Sequence, residues 1–152
     1  MQKYSLTYII KIKSLLLLAI PLIFIIGVSC DQVFVGYGTG VRDIQPQYQL
    51  LPTMKYGCLV MACCVVGGLG TTSEVLDARQ WAYDNGYISS SNYVQIGSMD
   101  LAQKISRKYG TTYHSDFVIR KDSYGNGGTH FWVADSSGKE IFNSAGLGWH
   151  GK

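Results

Sequence analysis

The spacing of hydrophobic and polar positions changes character several times along the chain. A first group of basic residues ends at Lys13, and residues 14–29, SLLLLAIPLIFIIGVS, carry no charge. A charged n-region followed by an apolar h-region is the pattern of a secretory signal. The apolar run has 16 residues and contains Pro21, so it falls short of the roughly 20 that a spanning helix requires. Residues 31 to about 55 mix Gly, Gln and Pro with no sustained period. That predicts a tether over 31–44 and an irregular, partly extended lead into a domain covering 45–152.

CLVMACCVV, residues 58–66, is apolar on every face and closes with Gly67-Gly68. Periodicity alone admits a buried helix or a buried strand; the Leu, Met and Ala content and the glycine stop favour a central buried helix. Thr71 followed by Glu74 is a capping box that opens a second helix to about Asn85, with Val75, Ala78, Trp81 and Ala82 inward and Gly86 as its stop. Ser98 opens a third, with Met99, Ala102, Ile105 and Tyr109 at helical spacing before Gly110. The period then shortens to two. Residues 111–120 alternate with Tyr113, Phe117 and Ile119 on one side; Tyr124 to Gly128 is a glycine-rich loop; HFWVAD, Ser136-Ser137-Gly138 and KEIFNSA read as a hairpin. Helices first and antiparallel strands second is an α+β order, in which a helix packs its apolar face on a sheet.

A length of 152 residues fits one such domain and excludes two of ordinary size. With 47% hydrophobic residues, 18 Gly and 11 Tyr, the chain is not an acidic disordered one. The net charge of +3 comes from Lys3, Lys11 and Lys13; beyond residue 30, ten basic side chains face ten acidic ones. Nucleic acid is therefore not an expected partner, because phosphate neutralisation needs surplus cations.

Gly27 and Ser29 precede Cys30, and this junction resembles the lipobox of bacterial lipoproteins, with Gly27 where that motif has Leu, Val or Ile. The resemblance implies cleavage before Cys30, a lipid on its thiol and a membrane-anchored protein of the cell envelope. A plain cleaved signal and an uncleaved anchor are the alternatives. All three send residues 31–152 out of the cytoplasm.

Cys58, Cys63 and Cys64 fall on one predicted helix and cannot readily pair among themselves. If lipid consumes Cys30, an odd number of thiols remains in an oxidising compartment, which invites a functional thiol. Cys58 follows Gly57 at the first turn of the helix, where unsatisfied N–H groups favour a thiolate and should lower its pKa. Cys63 and Cys64 read as small core residues. A thiol nucleophile needs a base that also protonates the leaving group. His114 lies inside the expected strand and His150 near the terminus, whereas His130 opens HFWVAD directly after GNGGT. The returning strand brings Asn143 towards His130, where a side-chain carbonyl would fix the imidazole tautomer. A metal is not expected, since Cys58 with Cys63 or Cys64 and one His lacks the two-residue spacing of structural zinc sites. No cofactor is implied.

GC before an apolar helix, a second Cys five residues on, the GLGTTSEV connection, then GTHFWVAD and a strand ending in IFNS together resemble the papain-like cysteine peptidases. The nearest branch is the bacteriocin-processing group and its secreted bacterial relatives, over about residues 45–145. The resemblance implies a papain-like fold with Cys58 as nucleophile, His130 as general base and acid, and Asn143 as the orienting residue, where that branch commonly has Asp before Pro. The family's oxyanion glutamine, six residues before the Cys, is replaced by Pro52; Gln49 is the nearest substitute upstream, ahead of Gln47 and Gln45. The implied activity is cleavage of an amide bond in a peptide or in the peptide stems of peptidoglycan. The competing functions are a peptidase-like module that binds a peptide without cutting it, and a structural lipoprotein with Tyr-rich contact surfaces.

Overall fold

The computed structural model describes residues 43–125, 127–146, 148 and 150; the expected signal segment, Cys30 and most of the tether lie outside them. A short 3-10 turn, Gln47–Leu50, leads to three α-helices, α1 (Cys58–Val66), α2 (Thr72–Asp84) and α3 (Ser98–Tyr109), and then to three strands, β1 (Val118–Ser123), β2 (Thr129–Ala134) and β3 (Glu140–Asn143). The strands form one antiparallel sheet in the order β1-β2-β3. The architecture is α+β. Among the described residues no helix is long and apolar enough to cross a membrane.

α1 is the centre of the molecule because a helix that is apolar all round can only be buried. Eight of its nine residues, all but Leu59, are buried. One side packs on the sheet, where Val133 and Phe142 point inward; the others meet α3 through Leu101, Ala102 and Ile105 and α2 through Val75 and Ala78. Thr71 caps α2, its Oγ1 accepting from the Glu74 N–H while Glu74 Oε2 accepts from the Thr71 N–H. α3 ends at Gly110 in the left-handed conformation, with φ of 66°. Its N-cap is Gly97, with no side-chain cap, and Ser98 is the first helical residue.

Two boundaries differ from the sequence reading. The strand expected over 111–120 begins only at Val118 and runs to Ser123. Residues 111–117 serve the C-terminal end of α1 instead: Thr111 Oγ1 donates to the Gly67 carbonyl at 2.5 Å and the His114 N–H donates to the Val66 carbonyl at 2.9 Å. These satisfy helix-terminal carbonyls that lack partners within the helix, a demand that outweighs the alternating pattern. The folded unit also starts before Gln45. Asp43 forms a parallel bridge with Thr71, its carbonyl accepts from the Thr72 N–H, and Ile44 is buried. The last two positions assigned to the tether are thus held by the start of α2.

The β2–β3 turn is tied by one carboxylate. Asp135 Oδ1 accepts from the Ser137 N–H, the Ser137 hydroxyl and the Lys139 N–H. This fixes the register that carries Asn143 back beside the start of β2.

Candidate active site

Cys58 stands at the N-terminus of α1, and the turn before it is fixed by contacts that leave little choice of residue. The Gly57 N–H donates to the Met54 carbonyl at 2.9 Å, and a Cβ on Gly57 would lie 2.9 Å from that same oxygen. Only glycine fits. Tyr56 just before it has a φ of 60°, a left-handed backbone that side chains other than glycine rarely adopt.

Asn92 holds this turn in place. It is 2% exposed, and its Nδ2 donates to the Thr53 and Lys55 carbonyls, both at 2.8 Å, while its Oδ1 accepts from Arg79 Nε at 2.7 Å. Thirty-seven and 39 positions of chain are bridged by one amide. The sequence reading passed over Asn92; the only local signal was an asparagine in a polar turn, which tolerates its φ of 63°. Replacing Asn92 with Ala leaves two carbonyls and the Arg79 guanidinium without this partner, so unfolding free energy should drop by about 2–4 kcal/mol. Urea denaturation checks this as a lower midpoint at unchanged slope. A change within about 0.5 kcal/mol, the range of ordinary surface substitutions, would contradict the role given to Asn92.

His130 and Asn143 meet on the sheet. Asn143 pairs with Trp132, two residues after His130, so all three side chains lie on one face. Asn143 Oδ1 is 2.7 Å from His130 Nε2 and also accepts from the Ala145 N–H at 3.1 Å. A backbone donor at that atom identifies it as the amide oxygen, and the imidazole must then donate through Nε2. The proton-accepting nitrogen is therefore Nδ1. Both residues are buried. Burial lowers the His130 pKa below its ordinary 6.5, against the opposing pull of the Asn143 bond and of Asp122 and Glu140, and leaves a neutral ring at neutral pH.

The expectation of a low-pKa Cys58 fails. Burial raises the thiol above its ordinary 9.0, and the N–H groups of Phe131, Leu59 and Cys58 itself recover only part of the shift. Desolvation wins because the sulfur is almost enclosed, with 8% of the residue exposed. Phe131 directly follows His130, so the start of β2 meets the start of α1 at the sulfur. Among the described residues no hydrogen bond joins Cys58 Sγ to the His130 ring. Cys58 lines a cleft of about 380 Å³ with Tyr56, Tyr93, Gly128 and Phe131. His130 lines a neighbouring cleft of about 300 Å³ with Gln47, Tyr56, Tyr124 and Ser144. Tyr56 borders both clefts. Tyr124 is held above its ordinary pKa by burial and by the nearby Cys58 and Asp122.

Gln49 is not placed to serve this site. It is exposed, and its Nε2 donates to the Tyr48 hydroxyl at 3.3 Å. The glutamine that lines the His130 cleft is Gln47, whose Nε2 donates to the Met54 carbonyl at 2.8 Å and whose Oε1 accepts from the Ser144 hydroxyl at 3.2 Å. The cause is the three-residue period of the 3-10 turn, which puts Gln47 and Leu50 on the inner side and turns Gln49 outward.

The other candidates lie elsewhere. His114 stacks on Phe117 at 4.5 Å and is bonded through its backbone to Val66, at the far end of α1 from Cys58, about 12 Å along the axis. His150 has Nδ1 3.0 Å from Asp122 and Nε2 3.0 Å from Glu140, so both ring nitrogens face carboxylates. Cys63 and Cys64 are wholly enclosed; burial raises both, Cys64 to about 12. All three described cysteines are free thiols. In comparisons with known proteins, the chain matches no family model, no curated protein and no solved structure.

Proposed function

We propose that this chain is a thiol hydrolase of the papain-like kind, exported and tethered to a membrane of the cell envelope through Cys30, that cleaves an amide bond in a peptide or in the peptide stems of peptidoglycan. The observation that carries the reading is the buried His130–Asn143 hydrogen bond, one residue from the Phe131 N–H that lies against the Cys58 sulfur. A sheet gains nothing in packing from burying an imidazole and an amide beside a cleft. A proton-transfer site needs that arrangement.

In this mechanism the resting pair is a neutral thiol and a neutral imidazole. As the sulfur attacks the carbonyl carbon, its proton passes to His130 Nδ1, while Asn143 stabilises the imidazolium through Nε2–H. The carbonyl oxygen becomes an oxyanion that accepts from the Cys58 backbone N–H, which has no carbonyl partner within the helix, and from the Gln47 amide. Collapse expels the amine, which takes the proton from Nδ1 and leaves a thioester on Cys58. Water, deprotonated by the same nitrogen, attacks the thioester, releases the acid and restores the thiol. The sulfur and ring close to hydrogen-bond distance when substrate fills the clefts, since such bonds are often long in ligand-free sites and tighten in the substrate complex.

The pH dependence follows from the two shifts. A neutral pair is active only above the His130 pKa, which lies below 6.5, and keeps its thiol proton up to the Cys58 pKa, which lies above 9.0. On synthetic peptides and isolated stem peptides, kcat/KM should be flat between those limits and fall as pH drops below 6.5. An alkaline limb well below 9.0, where an imidazolium would give up its proton, would indicate a preformed thiolate–imidazolium pair and contradict the neutral resting state.

A second reading is a domain that holds a peptide without cutting it. It draws on the raised Cys58 pKa, which keeps the sulfur a weak nucleophile. Turnover separates the two.

A further inference from the structure

The clefts beside Cys58 and His130 have an uneven lining. Tyr48, Leu51, Tyr56 and Tyr93 are each more than half exposed, and all four stand at these two clefts. Tyr56 and Tyr93 stack across the Cys58 cleft, with ring centroids 6.0 Å apart and planes at 16°. Apolar rings gathered at the edge of a cleft are the usual mark of a surface that a ligand covers.

Charge is distributed just as unevenly. Among the described residues, Lys55 is the only formally charged one lining either cleft, and no carboxylate pairs with it. Its Nζ sits 5.1 Å from the centre of the Tyr56 ring. One side of the ammonium faces the ring, and its donors on the other side remain for an anion. The backbone beneath it is fixed, since Asn92 bonds the Lys55 carbonyl and Tyr56 is held in a left-handed conformation. Such conformations persist only where surrounding contacts impose them, and they gather at binding sites.

We propose that this lip selects the substrate: a peptide in which an apolar or aromatic side chain packs on Tyr56 and Tyr93 while a nearby carboxylate side chain meets Lys55, with the intervening amide presented to Cys58. The inference rests on the thiol hydrolase reading and names its substrate class. Charge complementarity decides between acidic and basic peptides, because the described lining offers one cation and no anion to answer it.

The test uses internally quenched peptides containing one Phe and differing at a single position, Glu, Gln or Lys, scanned over three residues on each side. Turnover is measured with the native protein and with Lys55→Glu. Binding of fluorescein-labelled versions is measured by anisotropy with Cys58→Ala, alone and combined with Lys55→Glu. At one position the native protein should favour Glu over Lys by about tenfold in kcat/KM at low salt, less as salt rises, and Lys55→Glu should reverse the order. The same reversal should appear in binding. Preference and reversal in binding without any turnover would sustain the selection and defeat the hydrolase reading. Cys58-dependent turnover with equal Glu-to-Lys ratios in both proteins would do the opposite. Neither binding nor turnover with any peptide would overturn both.

Discussion

Cys58→Ala and His130→Ala should each lower turnover by about 10⁴-fold or more, and the double variant should be no slower than the worse single one. In a nucleophile–base pair each group is useless without the other, so the losses overlap instead of adding. Here the sulfur is a protonated, buried thiol, with its pKa raised by desolvation. Without His130 nothing described at the clefts is placed to remove that proton near neutral pH. The comparison is informative because His130 is also a buried side chain bonded to Asn143. A merely structural histidine would lower stability and leave the rate of the folded fraction intact. Rates normalised to folded protein, with losses that multiply in the double variant, would show two independent contributions and refute a single unit.

Gln47→Ala should lower kcat by about 100-fold to 1,000-fold with little change in KM, the signature of a donor that acts mainly on the oxyanion. Gln49→Ala should stay within about twofold of the native rate, since an exposed side chain away from the substrate has little to lose. Gln47 also ties the Met54 carbonyl to Ser144, so part of its effect could come through the turn before Cys58. Gln47→Glu isolates the Ser144 bond from the two donations. A carboxylate still accepts from Ser144 but offers neither the Met54 carbonyl nor an oxyanion a proton, and its negative charge opposes the developing one. It should therefore be as slow as Gln47→Ala. Comparable losses at Gln47 and Gln49 would remove the basis for choosing between them.

The elements most legible in the sequence are those whose local chemistry and tertiary role agree. The Thr71–Glu74 box and the Gly110 stop specify helix ends through their own hydrogen bonds and φ, so no distant contact need be known. α1 was ambiguous by period because it has no polar face, and its propensity had to decide. The alternation in 111–117 misled because those residues answer the carbonyls at the end of α1, a partner more than 40 positions away in the chain. At the site, the adjacency of His130 and Asn143 follows from a short hairpin. The choice of Gln47 over Gln49 depended on a 3-10 turn that composition does not announce. The Cys58 pKa was misjudged because helix-end donors can be read from sequence position, whereas the burial that outweighs them depends on Phe131 and the sheet. Asn92 was invisible for the same reason: its three partners lie on Arg79, Thr53 and Lys55.

The central claim is that Cys58 forms a covalent intermediate with help from His130. It is tested most directly by mixing the protein with a cleaved peptide, quenching in acid within one turnover, and locating substrate-derived mass by mass spectrometry of the digested chain. An acyl group should be found on Cys58, not on the enclosed Cys63 or Cys64, and should not form in His130→Ala. Turnover without acyl mass on Cys58, or acyl mass that forms equally well without His130, would contradict the account.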